Sequence, residues 1–324
     1  MADAEYFRPL PDPHGRWRLA GGWVRFSAFE RLARGARPRI VSEAPPGVIA
    51  ALTAPRQPVA GLAMDRPRIM GIVNVTPDSF SDGGRWNADG GIAHAQALLD
   101  AGADLLDIGG ESTRPGARAV EIADEIARTT PAIAALSGRV PVSIDTRKAT
   151  VARAGVAAGA VMVNDVSGLD FDPGMAAAVA EDGVAVCLMH AQGVPETMQD
   201  NPRYDDVLLD VYDALAARIA RAEAAGIPRH RIVIDPGIGF GKTGQHNLEI
   251  LRRSSLYHGL GVPVLLGASR KSFVGAVGGG AHAAARDPGS LAVTLAAVAQ
   301  GVQFHRVHDV AGTRQGLALW REIT

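Results

Sequence analysis

Eight short apolar segments, each followed by an alanine-rich segment with helical periodicity, constrain the fold of this chain more than any other feature. The predicted strands are 69–73, 105–108, 140–144, 161–164, 184–189, 232–234, 264–266 and 303–307. The predicted helices are 92–101, 119–135, 149–158, 207–225, 248–257, 290–300 and 311–321. Alternating strands and helices over about 250 residues are typical of a (β/α)8 barrel. The pattern predicts an α/β fold of the TIM-barrel type with an N-terminal extension.

An open, doubly wound sheet is the alternative architecture for alternating strands and helices. Such a sheet normally has fewer strands and a glycine-rich phosphate turn, G-x-G-x-x-G, after its first strand. That motif does not follow the first predicted strand of this sequence: Gly237, Gly239 and Gly241 alternate, but they follow the sixth predicted strand. The barrel is therefore favoured.

Composition is that of an ordinary globular protein. The chain has 324 residues, of which 47% are hydrophobic and 21% charged, and its formal net charge of −1 indicates neither a nucleic-acid partner nor a membrane surface. No apolar run reaches the roughly 20 residues of a membrane-spanning helix, and the acidic start MADAEYF lacks the apolar core of a signal peptide. We therefore expect a cytoplasmic protein. The one cysteine, Cys187, excludes an intrachain disulfide and is expected to be a small buried hydrophobic residue.

Lysine is used sparingly in this chain. Of 33 basic residues only Lys148, Lys242 and Lys271 are lysines, and all three follow predicted strands. Compositional drift is one interpretation, but the shared position favours a requirement for a compact ammonium group. Arg147, in contrast, is expected to be a solvated charge on a helix.

Residues 1–66 differ from the rest of the chain, so we divide it into an N-terminal extension of unknown role (1–66) and a barrel (67–324). The extension contains ten arginines and six acidic residues. Segments 17–19 and 23–26 are predicted to form a hairpin around Gly21 and Gly22, and segment 29–32 a short helix.

In a barrel, the residues that follow the strands converge on one face whatever their separation in sequence. Those residues are Asn74, Glu111, Ser112, Thr113, Arg114, Asp145, Asn164, Asp165, Met189, His190, Asp235, Ser269, Arg270, Lys271, Arg306 and His308. This set is the candidate site.

Part of the candidate site suits a multiply charged anion such as pyrophosphate. Its cationic members are Arg114, Lys271, Arg306 and His308. Segment 110–116 adds hydroxyl groups and turn backbone that are typical of an anion-binding loop. Asn74 and Asp78 supply oxygen atoms for a Mg²⁺ ion beside the phosphates.

Another part suits the edge of a planar heterocycle with amide and amidine groups. Asp145, Asn164 and Asp235 offer paired acceptors and donors, and Met189 and Phe240 offer apolar walls. A strand-end Asp or Asn is also a common helix cap, so that role stays open for Asp145 and Asn164. The sequence has no Ser-His-Asp order of a hydrolase triad and no zinc-ligand spacing.

The chain resembles the dihydropteroate synthases, the folate-pathway enzymes that sulfonamides target. The resemblance covers residues 69–321. It rests on segments 71–84 (GIVNVTPDSFSDGG), 109–116 (GGESTRPG), 143–146 (SIDT), 164–165 (ND), 188–190 (LMH), 235–242 (DPGIGFGK), 269–272 (SRKS) and 306–309 (RVHD).

This resemblance implies a TIM barrel that condenses p-aminobenzoate with 6-hydroxymethyl-7,8-dihydropterin diphosphate and releases pyrophosphate. It implies that the pterin contacts Asp145, Asn164, Met189, Asp235, Phe240 and Lys271. It implies that Asn74, Thr113, Arg114, Arg306 and His308 handle the diphosphate, with Asn74 on its Mg²⁺. Phe80, Pro115 and Ser272 would surround p-aminobenzoate, and Asp145, Lys271 and Asn74 would be the catalytic residues.

Two rival functions share the pterin-binding barrel. A methyltetrahydrofolate methyltransferase that passes a methyl group to a corrinoid would be expected to lack the TPDSFSDGG and SRKS loops, which this chain has. A pterin-binding relative without catalysis would be expected to have lost part of the diphosphate set, which is complete here. The resemblance also implies a homodimer in contact through helices late in the barrel, and small-molecule substrates with no nucleic-acid or membrane partner.

Overall fold

The structure is a computed structural model that describes residues 4–76, 81–82, 85–86, 88–112, 119–193 and 197–323. Its strands are β1 (Glu5–Pro11), β2 (Trp17–Arg18), β3 (Arg25–Ala33), β4 (Arg39–Val41), β5 (Arg68–Asn74), β6 (Ser81–Asp82), β7 (Arg85–Trp86), β8 (Leu105–Gly109), β9 (Val142–Asp145), β10 (Met162–Asp165), β11 (Ala185–Met189), β12 (Ile232–Asp235), β13 (Leu265–Leu266) and β14 (Phe304–Val307). Its α-helices are α1 (Pro46–Thr53), α2 (Ala88–Asp100), α3 (Ile122–Leu136), α4 (Ala149–Ala157), α5 (Met175–Asp182), α6 (Val207–Ala224), α7 (Gly244–Arg252), α8 (Ser272–Gly278), α9 (Asp287–Val298) and α10 (Val310–Ile323).

Eight parallel strands form the main sheet, in the order β12-β11-β10-β9-β8-β5-β14-β13. A parallel bridge between Ile234 and Val264 joins the two edge strands, so the sheet closes on itself. The predicted TIM barrel is confirmed. All eight predicted strands are present, because each is an apolar run long enough to be buried both in the barrel and under the helices.

The helices begin and end at residues whose side chains favour those positions. The Asp206 side chain accepts hydrogen bonds from the backbone amides of Leu208 and Leu209 at the start of α6. Helix α5 ends at Gly183, whose φ of 68° is costly for a residue with a Cβ atom. Among the described helices, none is long and apolar enough to cross a membrane.

The N-terminal extension forms a small antiparallel sheet in which β1, β2 and β4 all pair with β3. The predicted hairpin is present, since Trp17 pairs with Phe26 and Arg18 with Arg25. The predicted helix at 29–32 is wrong: these residues lie within β3. Phe29 is buried in the aromatic cluster of the extension and hydrogen-bonded strands flank it on both sides, so long-range pairing overrides its local preference.

Polar contacts fasten the extension to the barrel. The Tyr6 hydroxyl donates to Asp213 on α6 at 2.8 Å, and the Trp23 indole donates to the Val298 carbonyl at 2.8 Å. The buried Arg56 guanidinium donates to the carbonyl of His258 at 2.8 Å. These contacts lie on the side and the amino-terminal end of the barrel, away from the carboxyl ends of its strands.

The last part of the extension closes the barrel floor. Val59 and Met64 pack with barrel-interior residues of one buried cluster, which includes Met70, Leu105 and Phe304. Cys187 belongs to the same cluster and is fully buried, as expected for a small hydrophobic residue. The floor is therefore apolar, and the polar residues of the barrel lie towards its other end.

His258 provides a test of this docking through the pH dependence of stability. Burial, reinforced by the charge of Arg56, lowers the pKa of His258 from 6.5 to about 3. Below about pH 6.5 the unfolded chain therefore binds a proton at His258 that the folded chain does not bind. The contribution of this residue to the free energy of unfolding is complete above that pH and is lost as the pH falls.

We expect His258→Gln to remove about 1.6 kcal/mol of the loss in the free energy of unfolding that the wild type shows between pH 6.5 and pH 5. The measurement is urea unfolding of both proteins at the two pH values. An equal loss in both proteins would contradict the buried neutral state of His258.

Candidate active site

The predicted site residues lie at the carboxyl ends of neighbouring strands. In the parallel register, Asn74 is level with Gly109, and Gly109 is level with Asp145. Asp145 is in turn level with Asn164 on β10. Because the strands are parallel, residues far apart in sequence meet at one rim.

Arg306 links three of the strands at this rim. Its Nε atom donates to Asp107 Oδ2 at 2.6 Å, and one terminal nitrogen donates to Asp145 Oδ2 at 2.7 Å. Asn164 Nδ2 donates to the same Asp107 oxygen at 3.0 Å. The structure thus brings together Arg306, Asp145 and Asn164, which the sequence assigned to two different parts of the site.

Asp107 was not predicted, although it is the centre of this network. It lies in the middle of β8 and is fully buried, and its Oδ1 atom has no hydrogen-bond partner among the described residues. A buried acceptor of this kind needs a ligand or a water molecule to offset its desolvation. The available signal was a single acidic residue inside an apolar strand, which is costly to bury without a purpose.

Burial dominates the electrostatics of Asp145. It raises the pKa of the Asp145 carboxyl, and the neighbouring Asp107 carboxylate raises it further. The guanidinium of Arg306 opposes that rise, and it is the only one of these influences that favours the ionised form. The charge on Asp145 therefore depends on Arg306.

Lys271, Phe240 and Asp235 form a second group. Lys271 Nζ lies 4.3 Å from the centre of the Phe240 ring and donates to the carbonyl of Ile238. Burial lowers the pKa of Lys271 to about 8, with Asp235 opposing that shift. Gly239 has a φ of 82°, which favours glycine, and a Cβ atom there would lie 3.0 Å from the Lys271 side chain, which is a tight contact.

Asp235 and Met189 are level with each other on β12 and β11. One oxygen of Asp235 accepts the amide of Gly237 at 2.7 Å, and burial raises the pKa of the carboxyl. Met189 is buried beside it. Both residues lie where the sequence predicted the polar edge and the apolar wall of a ring site.

Lys242 holds the loops of this second group in place. Its buried Nζ atom lies 2.9 Å from His190 Nδ1 and donates to the carbonyls of Gly237 at 2.9 Å and Phe240 at 3.0 Å. Burial and the charge of Lys242 lower the pKa of His190 to about 2, so His190 is neutral. Lys242 therefore ties the loop after β11 to the loop that contains Phe240.

The remaining predicted residues lie at the edge of the site or outside the described part of the chain. Ser269 Oγ lies 2.9 Å from His308 Nδ1, Asn74 is half-buried at the end of β5, and Ser272 is exposed at the start of α8. The residues Asp78, Phe80, Thr113, Arg114 and Pro115 lie outside the described residues. Within the described ranges, no group of three His, Cys, Asp or Glu side chains is placed to hold a metal ion.

The loops after β8 and β9 share a buried ionic network. Glu111 accepts hydrogen bonds from Arg147 Nε at 2.8 Å, Lys148 Nζ at 2.6 Å and the Val120 amide at 2.8 Å. Lys148 also pairs with Glu125. The expectation that Arg147 is a solvated charge is wrong, since this residue is only 7% exposed and its charge faces Glu111.

Comparison with known proteins relates this site to one family. The profile of the pterin binding enzymes matches residues 70–308. The dihydropteroate synthase of Neisseria meningitidis serogroup C is 47% identical over 267 residues, which cover 81% of this chain and 94% of the relative.

Two solved structures extend the comparison. The Xanthomonas albilineans dihydropteroate synthase with 4-aminobenzoic acid is 49% identical with a TM-score of 0.77, over 82% of this chain and 96% of its own. The same enzyme in complex with 7,8-dihydropteroate gives 45% identity and a TM-score of 0.74, over 81% and 95% of the two chains.

We expect Asp107→Asn to destabilise the protein by about 3 kcal/mol, because it removes one partner from a buried ionic group. The measurement is urea unfolding at neutral pH. Asp100→Asn is the matched control: Asp100 accepts a hydrogen bond from Gln96 on the exposed face of α2, so its replacement should change the free energy of unfolding by less than about 0.5 kcal/mol. Equal midpoints for Asp107→Asn and the wild type would contradict the network.

Proposed function

Because the chain belongs to the pterin binding enzymes and, within them, to the dihydropteroate synthase family, we propose that it catalyses the dihydropteroate synthase reaction. In this reaction p-aminobenzoate and 6-hydroxymethyl-7,8-dihydropterin diphosphate give 7,8-dihydropteroate and pyrophosphate. The observation that best supports the proposal is the Asp107–Arg306–Asp145 network beside Asn164, a buried set of donors and acceptors at the barrel mouth.

The pterin ring has an edge of amide and amidine groups that needs buried partners. We assign that edge to Asp145, Asn164 and Asp235, whose strands are neighbours or near neighbours in the barrel. Lys271 adds a donor, and Met189 and Phe240 supply apolar contact with the ring. A site of buried polar groups rejects rings that lack the matching edge, since those groups would be left unpaired.

The reaction breaks the bond between the exocyclic carbon and the diphosphate oxygen, and the bonding electrons leave with the diphosphate. The positive charge that develops spreads into the pterin ring, where the carboxylate of Asp145 stabilises it. The arylamine nitrogen of p-aminobenzoate then bonds to that carbon and loses a proton to solvent. An arylamine is already nucleophilic, so orientation contributes more than a strong base.

The diphosphate is assigned to Asn74 and His308, assisted by Arg306 and by Thr113 and Arg114. Arg306 already pairs with two carboxylates, so its free charge is small and the other residues contribute most of the attraction. For Thr113 and Arg114 the assignment rests on the family motif alone, because both lie outside the described residues.

A Mg²⁺ ion fits this site only as a partner of the diphosphate. Asn74 offers one amide oxygen, and the nearby carboxylates of Asp107 and Asp145 are paired with Arg306. Mg²⁺ keeps several waters and commonly binds substrate phosphates together with one or two protein oxygens. When bound, it would neutralise the leaving diphosphate.

We also infer a cytoplasmic homodimer. The free, buried Cys187 is compatible with a reducing compartment. Val277 on α8 and Leu319 and Ile323 on α10 are large apolar side chains that are mostly exposed, which favours contact through these late helices. Light scattering should give twice the 33.7 kDa mass of the chain.

The reaction is tested by pyrophosphate release from purified protein given Mg²⁺, the pterin diphosphate and p-aminobenzoate, with each omitted in turn. We expect release only when all three are present, with dihydropteroate formed in equal amount. Tight pterin binding without release would instead identify a binding protein, and methyl transfer to a corrinoid would identify the methyltransferase function.

Asp145→Asn should lower kcat by at least about 100-fold, because it removes the charge that stabilises the transition state. Asp182→Asn, which replaces an acid paired with Arg153 on the outer surface, is the control and should keep wild-type turnover. Steady-state kinetics and pterin binding by calorimetry distinguish the outcomes. Full turnover with unchanged pterin affinity in Asp145→Asn would disprove the assigned role.

A further inference from the structure

A cleft of about 220 Å³ opens at the barrel mouth, beside the site described above. It lies between the loops that follow β9, β10 and β11, and Phe240 forms part of its wall. Lys271 and Ser272, in contrast, follow β13. The cleft is lined by residues that include Arg147, Val166, Phe171, Met198 and Phe240.

Arg147 is the distinctive residue of this cleft. Its guanidinium stacks on the Phe171 ring, with the central carbon 4.1 Å from the ring centre. Nε donates to Glu111 at 2.8 Å, while the two terminal nitrogens make no hydrogen bond within the described part of the chain. A residue that is only 7% exposed therefore presents two uncommitted donor groups to a cavity.

The other polar groups of the cleft are already paired. Asp170 accepts hydrogen bonds from Arg218 at 2.5 Å and Arg221 at 2.7 Å. Ser167 Oγ donates to Asp165 at 2.6 Å. Since two arginines compensate Asp170, the field in the cleft does not repel an anion.

The chemistry of the cleft defines its ligand. Terminal guanidinium nitrogens match the two oxygens of a carboxylate in a bidentate pair. Val166, Met198 and Phe240 form an apolar wall next to that donor pair. Pockets for drug-sized ligands have volumes of about 300–1,000 Å³, so this smaller cleft suits a molecule with a single ring.

We propose that this cleft is a second binding site, which takes a small aromatic carboxylate. The carboxylate pairs with the terminal nitrogens of Arg147, and the ring packs on the apolar wall that includes Phe240. The proposal does not depend on the proposed reaction, since it requires only binding. The cleft differs in its loops from the p-aminobenzoate pocket assigned beside Ser272.

The test is fluorine NMR of 4-fluorobenzoate titrated with the full-length protein. We expect saturable binding that Arg147→Gln weakens at least about tenfold, as for the loss of a charge-assisted bidentate pair. Arg147→Lys keeps the positive charge but lacks the two terminal guanidinium nitrogens, so it should give an intermediate affinity. 4-Fluorobenzyl alcohol has no carboxylate, so it should bind the wild-type protein at least about tenfold more weakly than 4-fluorobenzoate does.

Arg153→Gln is the matched control, because Arg153 lies on the same loop-and-helix segment but pairs with Glu181 and Asp182 outside the cleft. It should bind the probe as the wild type does. If Arg147→Gln fails to fold, Phe171→Ala replaces a residue that is 46% exposed and should still weaken binding several-fold.

Three results would overturn the proposal. One is the absence of saturable binding to wild type, and another is equal affinity for 4-fluorobenzyl alcohol. The third is undiminished binding by folded Arg147→Gln or by Phe171→Ala, which would assign the probe to a different site.

Discussion

The ion pairs of Arg306 with Asp107 and Asp145 are the interaction on which the barrel mouth depends. They join β14 to β8 and β9, so a single guanidinium links three strands of the barrel. Removing any one partner leaves an uncompensated charge in a low-dielectric environment. The free-energy cost of that unpaired charge is larger than the net stabilisation that the intact ion pairs provide. Within this network Arg306 opposes the effect of burial, which raises the pKa of Asp145, and one oxygen of Asp107 is left available to a ligand. The ion pairs that link these strands therefore also determine the electrostatics of the candidate site.

The three lysines show how the loops around this network are positioned. Lys148 ties the loops after β8 and β9 through Glu111, and Lys242 ties the loops after β11 and β12 through backbone carbonyls. Lys271 lies in the site itself, against Phe240. The ammonium groups of Lys148 and Lys242 each donate in several directions from a compact centre, which a planar guanidinium does not reproduce. The use of lysine at these positions in an arginine-rich chain thus has a geometric reason.

The two ends of the barrel have different tasks. Its floor is an apolar cluster completed by Val59 and Met64 of the extension, and hydrogen bonds from Tyr6, Trp23 and Arg56 fix the extension to the barrel. Its mouth is polar and includes the candidate site and the Arg147 cleft. This division follows the general rule for such barrels, in which one end provides stability and the other provides function.

The sequence by itself determined the barrel, because eight buried strands and their helices have local patterns that survive in the fold. It also predicted which residues meet at the carboxyl ends of the strands, since barrel topology brings strand ends together whatever their order. Only the tertiary structure decided the role of Asp107, the burial of Arg147 and the strand at Phe29. Each of these depends on partners distant in sequence: Arg306 for Asp107, Glu111 for Arg147, and β1 and β4 for Phe29. A local sequence pattern does not predict such pairing, because the pairing contributes free energy only after folding has brought the distant partners together.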